Sequence, residues 1–146
     1  MSRLKSILKL LFRRPLLAVT IVPWQPDGRL ILVKRRDDGT WGLPGGMVDW
    51  GETVEEAVHR ELREETGLRC QKIRGVRGVF SSPERDPRCH SIILLFEVEV
   101  SGLARPQDHA EITMVQAFDL ADLPAVLSHD HRQLLESLGQ PEFILK

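Results

Sequence analysis

The stretch from Gly46 to Leu68 constrains this chain most, because its second half has the pattern of a single amphipathic helix. Thr53 suits the N-cap, and Glu56 three residues later completes a capping box. Gly67 suits the left-handed backbone position just past a helix end. No glycine or proline lies between these caps, so the sequence predicts one uninterrupted helix.

Carboxylates gather on one side of this predicted helix. At about 100° per residue, Glu61, Glu64 and Glu65 lie within about 60° of a common direction. An apolar stripe that is expected to pack on a core lies beside them: Val54, Val58 and Leu62. Like charges this close raise the pKa of at least one acid unless a cation lies among them.

Such a cluster has two interpretations. Oxygen ligands with little room for His or Cys favour Mg²⁺ or Mn²⁺. The simpler alternative is an acidic face exposed to solvent, because Glu-rich helices and i,i+4 pairs with arginine are common at protein surfaces. The helix pattern alone favours this simpler alternative.

The spacing around the acids changes that balance. From Gly46, five residues precede Glu52, seven more precede Arg60, and the stretch ends R-E-L-R-E-E-T-G-L. This arrangement resembles the Nudix box, G-x5-E-x7-R-E-U-x-E-E-x-G-U with U an aliphatic residue, at every defined position. The preceding residues 41–46, W-G-L-P-G-G, also resemble the Nudix hydrolase family. The box covers only part of the chain.

The resemblance implies roles for residues in the box. Metal ligation is implied for the side chains of Glu61, Glu64 and Glu65, and for the backbone carbonyl of Gly45, where glycine permits close approach. Arg60 would pair with Glu52 and hold the loop against the helix through its planar guanidinium group. The implied cofactor is Mg²⁺, for which Mn²⁺ can substitute.

The implied reaction is hydrolysis of a pyrophosphate bond. Bound Mg²⁺ would act as Lewis acid, template and water activator. A general base is also needed, and the candidates are Glu61, Asp108 and Glu111. We favour Glu111, which precedes a predicted strand at a position where relatives often carry glutamate. No histidine is assigned a catalytic role.

A polar loop, residues 81–90, gives the indication of substrate. It reads S-S-P-E-R-D-P-R-C-H and is similar to S-D-P-x-R-D-P-R-G-H, a pattern of small ADP-ribose pyrophosphatases. Ser82 and Cys89 depart from that pattern. Residues 128–131, S-H-D-H, are also similar to this subgroup. The resemblance therefore implies ADP-ribose or a related nucleotide sugar as substrate.

Arginines are the candidate substrate contacts. Arg85 and Arg88 can grip phosphate or ribose through their planar guanidinium groups. The resemblance implies that Arg35, at the end of a predicted strand, can reach substrate phosphates. The alternative for the loop arginines is an internal clamp in which Asp86 pairs with one of them. The alternative for Arg35 is a basic strand edge protected from pairing.

Three functions stay open on the sequence. The first is Mg²⁺-dependent hydrolysis of ADP-ribose or a similar nucleotide sugar. The second is the same chemistry on oxidised nucleoside triphosphates, dinucleoside polyphosphates or capped RNA. The third is a nucleotide-sensing module without catalysis. The third predicts loss of the metal-binding acids, and all of them are present, so it is the least favoured.

Length, charge and cysteine content indicate the domain organisation and the cellular compartment. The 146 residues predict a single Nudix domain, 15–146, after a basic amphipathic segment, 1–14. That segment is expected to pack on its own domain or on a second subunit rather than on a membrane surface, and a signal peptide is not expected. The formal net charge of −1 argues against DNA binding. Two cysteines without a secretion signal indicate a reducing, cytoplasmic setting, and the resemblance implies a homodimer.

The element order predicts an α+β protein, and the resemblance implies the Nudix fold, an α/β/α sandwich around a mixed sheet. Strands are predicted at Leu16–Trp24, Leu30–Lys34, Gln71–Phe80, Ser91–Val100 and Thr113–Phe118. The first two are expected to form a hairpin across Pro26-Asp27-Gly28. A second helix is predicted at Asp130–Leu138.

Overall fold

A computed structural model describes residues 14–146, so nearly all of the predicted segment 1–14 lies outside the described residues. In chain order the elements are β1 (Leu16–Trp24), β2 (Leu30–Arg35), β3 (Trp41–Gly42), β4 (Gly45–Met47), α1 (Val54–Thr66), β5 (Arg69–Phe80), β6 (Ser91–Ser101), β7 (Ile112–Phe118), α2 (His131–Ser137) and β8 (Ile144–Leu145). The predicted strands and helices are confirmed within two residues at each end, while β3, β4 and β8 were not predicted.

The strands form one eight-stranded mixed sheet in the order β3-β2-β1-β6-β5-β8, with β4 paired to β1 and β7 paired to β2. The parallel pairing of β1 with β6 runs from Leu16 opposite Ser91 to Trp24 opposite Glu99. β1 and β2 are antiparallel neighbours, as predicted, but their matched register is limited to Trp24 and Leu30. At the other end of β1, residues 18–20 pair with β4 instead. This divergence of β1 and β2 separates the strands where the candidate site lies.

Alternating side chains cover both faces of the sheet. Val19, Ile21 and Val98 pack with Val58 and Leu62 of α1 in one buried cluster. A second cluster contains Val22, Leu95 and the α2 residues Leu134 and Leu135. The α+β sandwich with a helix on each face is therefore confirmed.

The ends of α1 follow the predicted chemistry. The Thr53 hydroxyl accepts from the Glu56 N–H at 3.2 Å, and the Glu56 carboxylate accepts from the Thr53 N–H at 2.8 Å. Gly67 ends the helix with φ of 70°, a conformation that other residues adopt only with strain. The local sequence therefore fixes where α1 begins and ends.

β5 is irregular at three places, two of them beside glycines. Its register against β6 shifts beside Gly75 and again beside Gly78. At Gly78, a Cβ atom would lie 2.7 Å from the backbone oxygen of Ile144, so β8 can approach closely only because no side chain is present. Among residues 14–146, no helix has both the length and the apolar character needed to span a membrane.

Candidate active site

The acids of α1 differ in their surroundings. Glu65 is only 7% exposed, and its carboxylate accepts from the Gly45 N–H at 2.9 Å. Glu61 is also mostly buried and accepts from Arg60 at 2.7 Å. Glu64 is half exposed and lies 3.5 Å from Arg60. The helix thus places Glu65 in the protein interior, Glu61 at the edge of the interior and Glu64 towards solvent.

Arg60 connects the helix to the preceding loop. Its guanidinium donates to both carboxylate oxygens of Glu52, at 2.7 and 2.9 Å, and to the Met47 carbonyl at 3.0 Å. The same group donates to Glu61. The hydrogen bonds from Arg60 lower the pKa of Glu52 to about 2. One cation therefore fixes both the loop and the carboxylate that follows it on the helix.

Replacing Arg60 is expected to loosen the loop that contains Glu52. Arg60→Ala should lower the free energy of unfolding by about 2 kcal/mol, because charge-assisted hydrogen bonds to Glu52 and Glu61 are lost together. Urea denaturation at pH 7 measures the change. Arg63→Ala is the matched control, since Arg63 is exposed on the same helix and has no ion pair within residues 14–146. Equal stability of the two variants would contradict the linking role.

Burial and like charges act on the two inner acids. Burial is the main cause that raises the pKa of Glu65 to about 8, against the opposing hydrogen bond from Gly45, and the charges of Glu61 and Glu111 add to it. Burial also raises the pKa of Glu61, although Arg60 opposes the shift. The predicted pKa rise is present, but desolvation rather than repulsion is its largest cause.

The acids do not converge on one point. Within the part of the chain that the structure describes, no group of three or more His, Cys, Asp or Glu side chains is arranged to hold a metal ion. Arg60 holds Glu61 while Glu65 turns to Gly45, which explains the separation. The donor chemistry nevertheless fits a hard divalent cation, because these are carboxylate oxygens whose burial and mutual repulsion a cation would offset.

Glycines bring the backbone of β4 against these acids. A Cβ atom on Gly46 would lie 2.2 Å from a carboxylate oxygen of Glu61, and one on Gly45 would lie 2.2 Å from the Val19 carbonyl. Gly45 also has φ of 156°. Residues with a side chain cannot occupy these positions without displacing their neighbours, so the double glycine lets the backbone contact α1 and β1 together.

Of the two later acids, Glu111 and Asp108, it is Glu111 whose charge acts on the inner carboxylates. Its charge raises the pKa of both Glu61 and Glu65. Glu111 is exposed just before β7, and its carbonyl accepts from the Arg36 N–H at 2.8 Å. The Asp108 carboxylate instead accepts from the Ala110 N–H at 3.0 Å within its own turn.

A cavity of about 150 Å³ lies where β1 and β2 diverge, with Glu65 in its wall. Its charged or titratable lining consists of Arg35, Glu65, Asp86, Arg88, Asp130 and His131. The Asp86 carboxylate accepts from Arg88 at 3.0 and 2.8 Å, and these hydrogen bonds lower the pKa of Asp86 to about 2. Arg35 donates in the same two-pronged manner to Asp37, at 3.1 and 3.0 Å. Both cavity arginines are thus already paired.

Arg85 is placed differently from the other two arginines. It is absent from the cavity lining, and its side chain is 5% exposed. It forms a salt bridge with Asp130 and donates to the Ser91 hydroxyl at 2.8 Å. These contacts tie the 81–90 loop to β6 and to the start of α2. The clamp considered from the sequence, in which Asp86 pairs with an arginine of the loop, is formed with Arg88 instead.

The sequence reasoning missed His131. Its Nδ1 accepts from the Leu43 N–H at 2.8 Å, and burial lowers the pKa of its imidazole. The similarity of residues 128–131 to the ADP-ribose pyrophosphatase subgroup was the available signal. It did not separate the two histidines, whereas the structure places His131 in the cavity wall and leaves His129 exposed.

Comparison with known proteins agrees with this geometry. A family model described as NUDIX domain matches residues 14–138. An ADP-ribose pyrophosphatase of Methanocaldococcus jannaschii is 44% identical over 117 residues, which are 77% of this chain and 66%, just under two thirds, of that enzyme. A MutT NUDIX hydrolase from Burkholderia pseudomallei has a TM-score of 0.76 at 32% identity and covers 86% of this chain and 99% of its own.

The NUDIX domain of Shewanella oneidensis NrtR, solved as a complex with ADP ribose, also has a TM-score of 0.76. It is 29% identical and covers 94% of this chain and 97% of its own. The matched domain spans α1, the double glycine and the cavity described above. The chain therefore belongs to the Nudix family.

Proposed function

We propose that this protein hydrolyses the pyrophosphate bond of a nucleoside diphosphate linked to another group, with ADP-ribose or a related nucleotide sugar as substrate and Mg²⁺ as cofactor. The observation that carries the proposal is Glu65, a buried acid on the box helix that contacts the double glycine and faces a cavity. The substrate is supported by the M. jannaschii relative and by the ADP ribose complex of the NrtR domain.

The proposed metal ligands are Glu61, Glu64 and Glu65, together with the backbone carbonyl of Gly45. When bound, Mg²⁺ supplies charge neutralisation at phosphorus and activation of a water molecule, and Mn²⁺ can substitute for it. The contribution of Arg60 is to hold Glu61 close to β4, the strand that contains Gly45 and Gly46, through its hydrogen bond to the Met47 carbonyl.

Charge in the cavity supports the need for a cation. Arg35 and Arg88 are the proposed contacts to substrate phosphate or ribose, but each is already neutralised by Asp37 or Asp86. Asp130 neutralises Arg85 in the same way. The arginines can therefore orient a diphosphate but add little net positive charge, and a divalent ion would provide what they lack.

Glu111 is the proposed general base. Its exposure leaves the carboxylate free to reach a water molecule beside the inner acids, whose pKa values its charge already raises. Asp108 is less suited, because its carboxylate is engaged in a turn. A base must come within hydrogen-bond reach of the water it activates, and the placement of Glu111 supports this assignment.

A hydrolysis screen with Mg²⁺ tests the proposal. The panel contains ADP-ribose, NADH, diadenosine polyphosphates, nucleoside triphosphates and capped RNA, each incubated with wild type and with Glu65→Gln. We expect fastest turnover of ADP-ribose or another nucleotide sugar. Fastest turnover of an oxidised triphosphate, a dinucleoside polyphosphate or capped RNA would transfer the assignment to that class. Nucleotide binding without turnover of any compound would favour a sensing module.

The setting of the protein is part of the same proposal. A reducing, cytoplasmic compartment is supported by Cys70 and Cys89, which are both free thiols. The homodimer stays a prediction from the resemblance. The absence of DNA binding stays a prediction from the net charge, and the lesser possibility of membrane-surface contact stays a prediction from the basic pattern of residues 1–14.

A further inference from the structure

The segment before the double glycine is attached to the C-terminal part of the chain. The Trp41 N–H donates to the Val126 carbonyl at 3.0 Å, and the Ser128 N–H donates to the Trp41 carbonyl at 2.6 Å. These two backbone hydrogen bonds hold β3 whatever the side chains are. The next donor, the Leu43 N–H, depends on a side chain, because its acceptor is Nδ1 of His131.

The His131 ring fits closely into this position. A Cβ atom on Gly42 would lie 2.7 Å from Nδ1 of His131 and 3.4 Å from Cβ of Ser128. On the other side, Nε2 of His131 lies 3.7 Å from the Asp130 carboxylate, which is paired with Arg85. The ring therefore lies between the backbone at Leu43 and a buried ion pair, with its Nδ1 facing the backbone donor.

A short path connects this hydrogen bond to the inner acid. Leu43 is 4% exposed, so its side chain anchors the segment in the core. The Pro44 carbonyl then accepts from the Ile21 N–H at 2.9 Å, and the Gly45 N–H donates to Glu65 at 2.9 Å. Three consecutive residues thus each have a fixed partner, and the first partner is His131.

We propose that His131 is a positioning residue for the hydrolytic site, which holds the Leu43–Gly45 backbone in place for Glu65 by accepting the Leu43 N–H. The inference rests on the proposed function, because it assumes that Gly45 and Glu65 act in hydrolysis. It adds a residue of α2, an element outside the Nudix box, to those that hydrolysis requires. His131 contacts neither metal nor substrate in this proposal.

Side-chain geometry gives a matched pair of variants. The Asn side chain carries an oxygen at the place of Nδ1, one bond beyond Cγ, whereas the Gln oxygen is one bond further out and corresponds to Nε2. His131→Asn should therefore keep an acceptor for the Leu43 N–H, and His131→Gln should lose it. His131→Ala removes the acceptor without replacement, which leaves a buried donor unpaired.

Steady-state kinetics with Mg²⁺ and the best substrate gives the first readout. We expect kcat to fall about tenfold or more in His131→Gln and His131→Ala, with KM within about threefold, and His131→Asn to stay within about threefold of wild type in both constants. A change confined to KM, or equal losses in the Asn and Gln variants, would overturn the positioning role.

Amide hydrogen exchange in the metal-free protein gives the second readout, and it needs no activity. Loss of the acceptor should speed exchange of the Leu43 amide about tenfold or more in His131→Gln, with little change in His131→Asn. Unchanged exchange at Leu43 in His131→Gln would refute the hydrogen bond even if catalysis were impaired. If the Leu43 amide exchanges faster in His131→Gln but the wild-type protein hydrolyses no compound, the hydrogen bond is supported and the proposed function is refuted. If His131→Ala does not fold, the Asn and Gln variants still decide the question.

Discussion

Glu65→Gln is expected to lower kcat for pyrophosphate hydrolysis by about a thousandfold or more while the protein stays folded. A bound divalent cation contributes several kcal/mol to stabilising charge in the transition state, and each 1.4 kcal/mol corresponds to about a tenfold change in rate. The amide of Gln is a poor ligand for Mg²⁺, but its oxygen can still accept from the Gly45 N–H. Kinetics with saturating Mg²⁺ measures the loss, and circular dichroism confirms folding.

Glu55→Gln is the matched control for this variant. Glu55 lies on α1 in the first turn and is exposed, so the same loss of charge from the same helix should leave kcat within about twofold. Retention of more than about a tenth of wild-type kcat in Glu65→Gln would contradict the assignment of Glu65 as a metal ligand. Equal losses in both variants would point to an effect of helix charge rather than of ligation.

Local signals explain why the sequence predicted α1 so well. Thr53 and Glu56 contact each other across three residues, Gly67 acts at its own position, and the apolar stripe has helical period, so no distant part of the chain is needed. The strands β3 and β8 have two residues each, which is too short for any periodicity. β3 forms because β2 and residues 126–128 supply its backbone partners, and β8 forms because the end of β5 supplies its partners.

In the candidate site, too, some features follow from local sequence and others depend on distant residues. The directions of Glu61, Glu64 and Glu65 follow from helical spacing, but the positions of their carboxylates depend on contacts with Arg60 and Gly45. Within the described residues these acids therefore do not form a ready metal site. The partner of His131 is a backbone N–H, and a donor that every residue type except proline carries leaves almost no trace in the sequence. The loop pattern placed Arg85 and Arg88 together, whereas burial and Asp130 separate them.

Glu65 is also expected to make the metal-free protein less stable as pH rises. Its pKa is about 8 in the folded protein and 4.5 as the reference value. Between these values the folded state binds a proton that the unfolded state has released. The stabilising contribution is therefore fully present below pH 4.5 and is lost as pH rises through 8.

The difference in unfolding free energy between wild type and Glu65→Gln isolates this effect, because other titrating groups are common to both proteins. In the presence of a chelator, the unfolding free energy of Glu65→Gln relative to that of wild type should rise by about 1.4 kcal/mol per pH unit between pH 5 and pH 8. The total rise should reach roughly 4 to 5 kcal/mol above pH 8. Urea denaturation at intervals of one pH unit measures the difference. A difference that does not change with pH would show that Glu65 titrates normally. Added Mg²⁺ should stabilise wild type increasingly towards high pH and leave Glu65→Gln little changed, because the ion binds the carboxylate only after its proton has left.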